Sequence, residues 1–274
     1  MIDLHLHTTI SDGRLTPGEL VRRAAKVGLR VMAVTDHDTT FGTPEVRALA
    51  TAAGIEAVSG IEMTAVERGK DVHILGYFVR EDDPGLAEFL TQQRVRRIAR
   101  VRAIANRLAS LGMVVDVEPL IRDVQQREGC SIGRPQIARA LIDAGHVSSF
   151  PEAFDRWLGQ DRPGFVPREG PGCEEVIDIL HAAGGLASLA HPGKTAIDAR
   201  IPDLCRYGLD AIEVYHSDHD AALVAHYWRI ATDAGVLMTG GSDYHGVPQQ
   251  GREVGSCTLP EAAWNRLRGA SGRG

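Results

Sequence analysis

Apolar and β-branched residues recur along the chain in short runs, each closed by a polar or glycine-containing turn. Most runs are followed by a stretch whose apolar positions repeat at helical spacing. Seven runs read as strands, at 2–6, 30–35, 55–61, 72–78, 185–190, 211–215 and 236–239. Amphipathic patterns at 17–27, 44–53, 174–183 and 218–234 read as helices between them. Strand–helix alternation predicts an α/β fold with a parallel sheet, and the sevenfold count predicts a barrel related to the eightfold (β/α) one. The alternation stops between Pro84 and Arg168. There, 86–111 is one long arginine-rich helical pattern, followed by helical signals at 135–144 and 151–158. The expected organisation is a discontinuous barrel (1–84 and 169–268), a small helical insertion that shapes the substrate site (85–168) and a flexible Gly/Ser/Arg tail (269–274).

Composition narrows the partners. The 274 residues are 43% hydrophobic and 24% charged, an ordinary globular balance. Thirty Lys and Arg against 36 Asp and Glu leave a net charge of -6. The chain therefore lacks the basic excess that holds duplex DNA, and a nucleic-acid substrate has to be small or gripped locally. The arginines of 94–107 are spread around their helix, which reads as a solvated face. No apolar run approaches the roughly 20 residues that span a bilayer, so no membrane partner is expected. Four cysteines stand far apart without a C-x-x-C pair, and no basic-then-apolar leader opens the chain. A cytoplasmic protein with reduced thiols is the expectation. Histidine is the unusual residue, with eleven copies, several beside carboxylates.

The first predicted strand ends Asp3-Leu4-His5-Leu6-His7. Alternate side chains of a strand share a face, so His5 and His7 point the same way and make half a metal site. A pair of hydrogen-bonded core histidines explains that short motif equally well. The pattern then repeats: Asp36-His37-Asp38 after the second strand, Glu62 at the third, His73 on the fourth, His191 after the fifth, and Asp243 and His245 after the seventh. In a parallel barrel the C-terminal strand ends form one rim. Burying so many imidazoles and carboxylates there without a compensating charge is unfavourable by several kcal/mol per ionised group, roughly. Bound cations remove that penalty. No G-x-S-x-G elbow and no Walker-type loop is present.

Together, Asp3-Leu4-His5-Leu6-His7-Thr8, Ser11-Asp12-Gly13, Thr35-Asp36-His37-Asp38-Thr39, Gly60-Ile61-Glu62, His73-Ile74-Leu75-Gly76-Tyr77, Ala190-His191-Pro192 and Gly241-Ser242-Asp243-Tyr244-His245 resemble the PHP (polymerase and histidinol phosphatase) family of metal-dependent phosphoesterases. The run from His5 to Pro17, the helical insertion and Ser131-Ile132-Gly133-Arg134-Pro135 resemble the subgroup that removes the 3′-phosphate of nucleoside 3′,5′-bisphosphates, which includes a 5′ to 3′ oligoribonuclease, RNase AM.

The resemblance implies a distorted seven-stranded, TIM-like (β/α)7 barrel holding three divalent metal ions. His5, His7, Glu62 and Asp243 hold the first, Glu62 bridges to a second with His73 and His191, and Asp12, His37 and His245 hold the third. Some relatives carry His where Asp12 stands. Nitrogen and oxygen donors suit manganese, iron or zinc, with manganese the leading expectation. Asp36 reads as a partner that orients an imidazole. Three divalent ions against three ligand carboxylates leave about +3, which suits a phosphate dianion. Cations of this kind lower the pKa of water from ~15.7 toward ~7, so Glu62 and Asp243 enter catalysis as ligands. His216, after the sixth strand, is either the proton donor to the leaving oxygen or the holder of a nearby water. Arg134, Arg162 and Arg168 are the candidates for a second anion site that holds the 5′-phosphate. Gln136 stands where many relatives have His. His146, His181, His219 and His226 are expected to be exposed or helix-packing. The expected partners are small nucleotides and short RNA 5′ ends. A histidinol-phosphatase-like activity and a non-catalytic metal-binding module are the alternatives, and the arginines fit a second phosphate better than a cationic amine.

Overall fold

The apolar runs become seven strands: β1 (Ile2–Leu6), β2 (Val31–Val34), β3 (Glu56–Glu67), β4 (Lys70–Tyr77), β5 (Leu186–Leu189), β6 (Ala211–His216) and β7 (Leu237–Gly241). They are seen in a computed structural model that describes residues 1–195, 197–246 and 252–272. The helices are α1 (Pro17–Lys26), α2 (Thr43–Ala52), α3 (Pro84–Ser110), α4 (Glu118–Gln126), α5 (Arg134–Asp143), α6 (Phe150–Ala153), α7 (Cys173–Ala182), α8 (Ile201–Tyr207), α9 (Ala221–Ala234) and α10 (Glu261–Ala270). Local signals set their ends. Thr16 and Glu19 form a capping box ahead of α1, and Asp83 accepts the Leu86 N–H at the start of α3.

The strands lie in the order β1-β2-β3-β4-β5-β6-β7, and the ends of the sheet nearly meet. His7 N–H donates to Tyr244 O at 3.0 Å and Asp243 N–H to His5 O at 2.9 Å. Glycine permits this approach: a Cβ at Gly241 would stand 2.4 Å from His5 N. The nearly closed seven-stranded barrel agrees with the sequence expectation, but the all-parallel sheet does not. β4 runs antiparallel to both β3 and β5. The cause is local. Arg68 and Gly69 both take positive φ, 51° and 77°, and with Glu67 paired to Lys70 they form a two-residue hairpin that needs no crossover helix. β3 accordingly continues six residues beyond its expected end.

Apolar residues of all seven strands, of α7 to α10 (including the buried Trp264) and of the first turns of α3 fill the main core. The insertion carries a separate apolar cluster, including Ile104, Leu108, Ile121, Ile137 and Leu141, which touches the barrel loop through Ile10. The last helix continues to Ala270, two residues into the expected tail, and 273–274 lie outside the described residues.

Candidate metal centre

The strand ends at the barrel mouth bring His5, His7, Asp12, His37, Glu62, His73, His191, Asp243 and His245 together. At the centre is Glu62, 1% exposed. Its Oε2 lies 3.3 Å from His5 Nε2, 3.2 Å from His7 Nε2 and 3.2 Å from His37 Nδ1. Its Oε1 lies 2.7 Å from His73 Nδ1 and 2.9 Å from His191 Nε2. Asp243 Oδ1 stands 3.4 Å from His5 Nε2 and 3.3 Å from His7 Nε2. Asp12 meets His245 Nε2 at 3.3 Å and His37 Nε2 at 3.7 Å. His73 reaches this rim although it sits early in its strand, because β4 is reversed. The expectation that every ligand sits at a C-terminal strand end is corrected at this position.

The donor set fits metal ions. His5 Nε2, both nitrogens of His7, His37 Nδ1, His73 Nδ1, His191 Nδ1 and Glu62 Oε2 are buried and lack a hydrogen-bond partner, an arrangement that is unfavourable in a closed core. Ligand atoms each ~2.1 Å from a shared ion lie about 3.0–3.4 Å apart at ordinary coordination angles, the spacing seen around Glu62 and Asp243. The outer nitrogens fix the tautomers. His5 Nδ1 donates to Glu213 Oε1 at 2.9 Å and His245 Nδ1 donates to Asp243 O at 2.9 Å, so each Nε2 lone pair faces the cluster. Among the described residues, four compact donor groups form: His7/Asp12/His37/His245, His5/Glu62/His191, His37/Glu62/His73 and His5/His216/Asp243.

Electrostatics reflect the crowding. Burial opposes charge on His7, but Asp243, Glu62 and Asp12 outweigh it and raise its pKa to about 10. Burial dominates at His37 and His191, lowering them to about 3 and about 4. Glu62 is held well below the usual carboxylate range: burial pushes it up and His37 and His73 overcome that push.

Glu213 is the acid that sequence reading missed. It is fully buried, and its Oε2 accepts the His191 N–H at 2.7 Å. That bond matters because His191 precedes a proline yet has φ 28° and ψ 57°, a conformation disfavoured for such a residue. Glu213 thus orients one imidazole and pins the strained backbone of another. A bulge between Glu213 and Tyr215 lets both Glu213 and His216 face the site. His216 is buried, its Nδ1 accepts the Asp218 N–H at 3.0 Å, and its Nε2 is 3.3 Å from Asp243 Oδ2. The occupied Nδ1 lone pair leaves the proton on Nε2 of the neutral ring, so His216 donates to Asp243.

Asp36 does not orient an imidazole. Its oxygens accept Thr8 N–H at 2.8 Å, Thr8 Oγ1–H at 2.5 Å and Ser11 Oγ–H at 2.6 Å, folding the loop that presents Asp12. Gly13 completes that loop, since a Cβ there would meet His7 O at 2.6 Å. His219 takes the helix-packing alternative: it is buried beside His216 and stacked on Tyr227 of α9.

A cleft of about 520 Å³ opens beside Asp12, His37 and His73 and is lined on its far side by Arg134, Arg168 and Gln136. Asp71 organises it. Arg100 Nη1 donates to Asp71 Oδ2 at 2.8 Å, Arg134 Nη2 donates to the same oxygen at 3.2 Å, and Arg168 Nε lies 3.5 Å from Oδ1. Three guanidiniums against one carboxylate leave an excess of positive charge, and burial lowers Arg168 to about 9. Arg100 Nη2, Arg168 Nε and Ser131 Oγ are buried with no hydrogen-bond partner among the described residues. Arg97 and Arg100 of α3 are therefore inward-facing; the solvated-face reading fails for them, with Arg97 Nε on Asp38 Oδ2 at 2.5 Å. Gln136 is committed to the loops, accepting Gly133 N–H and donating to Ser11 O, both at 2.9 Å. Arg162 is exposed in the turn where its N–H meets Gly159 O, and it does not line the cleft.

A nearly closed seven-stranded barrel with a histidine- and carboxylate-rich mouth defines a class, and the chain belongs to it: residues 3–146 match the PHP domain family, and the chain is a member of that family. Among curated relatives, it is 33% identical over 259 residues to the 3′,5′-nucleoside bisphosphate phosphatase of Chromobacterium violaceum, covering 93% of this chain and 90% of the relative. It is 33% identical over 250 residues to the 5′-3′ exoribonuclease Rnm of Escherichia coli (89% and 84%). It is 36% identical over 267 residues to the phosphoribosyl 1,2-cyclic phosphate 1,2-diphosphodiesterase of Eggerthella lenta (92% and 98%). In structure it is similar to a protein from Bifidobacterium adolescentis provisionally assigned as a metal-dependent phosphoesterase, with TM-score 0.87, 30% identity, and 97% and 94% of the two chains covered.

Proposed function

We propose that this protein is a metal-dependent phosphatase that removes the 3′-phosphate of nucleoside 3′,5′-bisphosphates, giving the nucleoside 5′-monophosphate and phosphate. On short 5′-phosphorylated RNA the same bond, from the 3′-oxygen to phosphorus, breaks, releasing one nucleotide at a time. The observation that carries the reading is the meeting of two unsatisfied sets in one cleft: imidazole nitrogens of His37 and His73, and the Arg168 guanidinium with the Ser131 hydroxyl. A substrate with two phosphates on one ribose satisfies both.

On this reading His5, His7, Glu62 and Asp243 hold one divalent ion, Glu62, His73 and His191 a second, and Asp12, His37 and His245 a third, with manganese favoured over iron and zinc. The bound ions supply Lewis acidity and lower the pKa of water. Arg134 and Arg168 bind the 5′-phosphate, with Arg100 replacing part of its Asp71 contact by the anion. His216 holds its proton on Nε2 against Asp243 and keeps that carboxylate oriented. Four unpaired cysteines fit work in the cytoplasm. The relationship to the Eggerthella enzyme supports one further candidate, a phosphoribosyl cyclic phosphate, which also joins a sugar phosphate to a second phosphorus.

The test is product analysis with added manganese on adenosine 3′,5′-bisphosphate, a 3′-monophosphate, 5′-phosphorylated di- and trinucleotides, a phosphoribosyl cyclic phosphate and histidinol phosphate. Preferred hydrolysis of the bisphosphate and oligonucleotides is expected. Hydrolysis of histidinol phosphate with the bisphosphate left intact would overturn the assignment.

A further inference from the structure

Beside Asp243, outside the lining of the arginine cleft, stands a second cationic group that the bisphosphate reading does not use. Lys194, in the turn after β5, places Nζ 3.0 Å from Asp243 Oδ2 and 2.9 Å from Asp218 Oδ2. Arg252 Nη2 bonds the same Asp218 oxygen, and its Nη1 lies 4.0 Å from Asp243 Oδ2. Both side chains keep access to solvent, at 35% and 22% exposed. The positions of charge form a sequence. Lys194 leads through Asp243 to His7 (3.3 Å) and Glu62 (3.2 Å), then through His73 to Asp71 and the arginine cleft on the same strand.

We infer that Lys194 and Arg252 bind the phosphodiester that follows the scissile one in a 5′-phosphorylated RNA. The inference rests on the proposed function and deepens it for polynucleotide substrates. With the 5′-phosphate among Arg134 and Arg168 and the 3′-phosphorus at Glu62 and Asp243, a bisphosphate ends there. An oligonucleotide continues past Asp243, and the side chains that face its next phosphate are these two. A cation held by Asp243 would offset that carboxylate's charge, so Lys194 and Arg252 would be left with one further carboxylate, Asp218, between them and with positive charge for an anion. The chemistry is unchanged: water attacks phosphorus, the bond to the 3′-oxygen breaks, and that oxygen takes a proton. The shortened RNA keeps the phosphate as its new 5′ end, the group the arginine cleft accepts in the next round.

The discriminating pair is a 5′-phosphorylated dinucleotide, which has no phosphate beyond the scissile one, and the trinucleotide, which has one. In the manganese-loaded wild type the trinucleotide is expected to show a kcat/KM about tenfold higher. Arg252→Gln and Lys194→Gln should bring the trinucleotide-to-dinucleotide ratio toward one, and Lys194→Arg should preserve it. Because a ratio is read within each variant, partial loss of metal cancels. As a second readout, binding of a fluorescent 5′-phosphorylated trinucleotide with a non-hydrolysable scissile linkage to the manganese-loaded protein should lose about 0.7 from the slope of log affinity on log salt in Arg252→Gln. A ratio unchanged in both Gln variants, or an unaltered salt slope, overturns the inference. A wild-type ratio near one with bisphosphate hydrolysis intact overturns it alone, whereas failure to cleave bisphosphate and dinucleotide alike overturns the proposed function and this inference with it.

Discussion

Glu213→Gln tests the metal centre without touching a ligand. The substitution keeps the side chain's size and removes its charge. Glu213 accepts two hydrogen bonds, from His5 Nδ1 at 2.9 Å and from the His191 N–H at 2.7 Å, and glutamine offers a single oxygen. Whichever donor keeps it, the new NH2 faces the other N–H. With no solvent access to the residue, at least one bond to a charged acceptor is lost, worth ~1.5–3 kcal/mol. That corresponds to roughly 10–100-fold in affinity, the range typical of partners that orient metal-bound imidazoles. Isothermal titration of manganese into EDTA-stripped protein measures it directly. The expected result is a site weakened by about 10–100-fold, with far-UV circular dichroism unchanged and kcat/KM reduced in parallel. Wild-type affinity in a folded variant would refute the argument that Glu213 fixes His5 and His191.

Glu62→Gln removes the carboxylate that five imidazoles share, and should lower the bound metal count and turnover by about 100-fold or more; near-normal rates would rule out the bridging role. Arg134→Ala should raise KM about tenfold for substrates with a 5′-phosphate, and an equal loss on a lone 3′-monophosphate would argue against the anchor. Burial pushes the acid of Asp218 up, but Arg252 and Lys194 outweigh it and lower the pKa from 3.8 to about 2. Its ion pairs therefore contribute stability above about pH 4 that is lost as pH falls through about 2. Melting of EDTA-treated wild type should decline more steeply over that window than melting of Asp218→Asn, and parallel declines would contradict the assignment.

The strand pattern and the clustering of the candidate ligands were legible because both depend on local sequence: alternation puts His5 and His7 on one face, and the other donors of the cluster lie on or after short apolar runs. What escaped depends on features that alternation does not encode. Glu213 and Tyr215 share a parity, so only the bulge between them reveals that Glu213 and His216 point inward together. β3 and β4 read as separate parallel strands unless Arg68-Gly69 is taken as a two-residue hairpin turn. Its signal was present: apolar alternation continues through Ile61, Met63 and Ala65, all buried, up to a glycine-containing turn. Arg97 and Arg100 were readable too. They lie four and seven residues after buried Gln93 and ahead of Ile104, on the helix face that packs inward, a position that net charge does not encode.

The reversal of β4 couples the two halves of the site. His73 and Asp71 are two residues apart on that strand and share a face, one against Glu62 and the other against Arg100, Arg134 and Arg168. Their backbones are therefore about 6.6 Å apart along the strand, fixed by β3 pairing at Thr64↔His73 and Val66↔Asp71. A parallel fourth strand would present its C-terminal end to the mouth and carry Asp71 away from it. The antiparallel strand instead sets the spacing between the candidate metal donors and the arginines around Asp71 with rigid backbone rather than with a loop. On the proposed reading, that fixed span selects substrates whose two phosphates are held apart by one ribose.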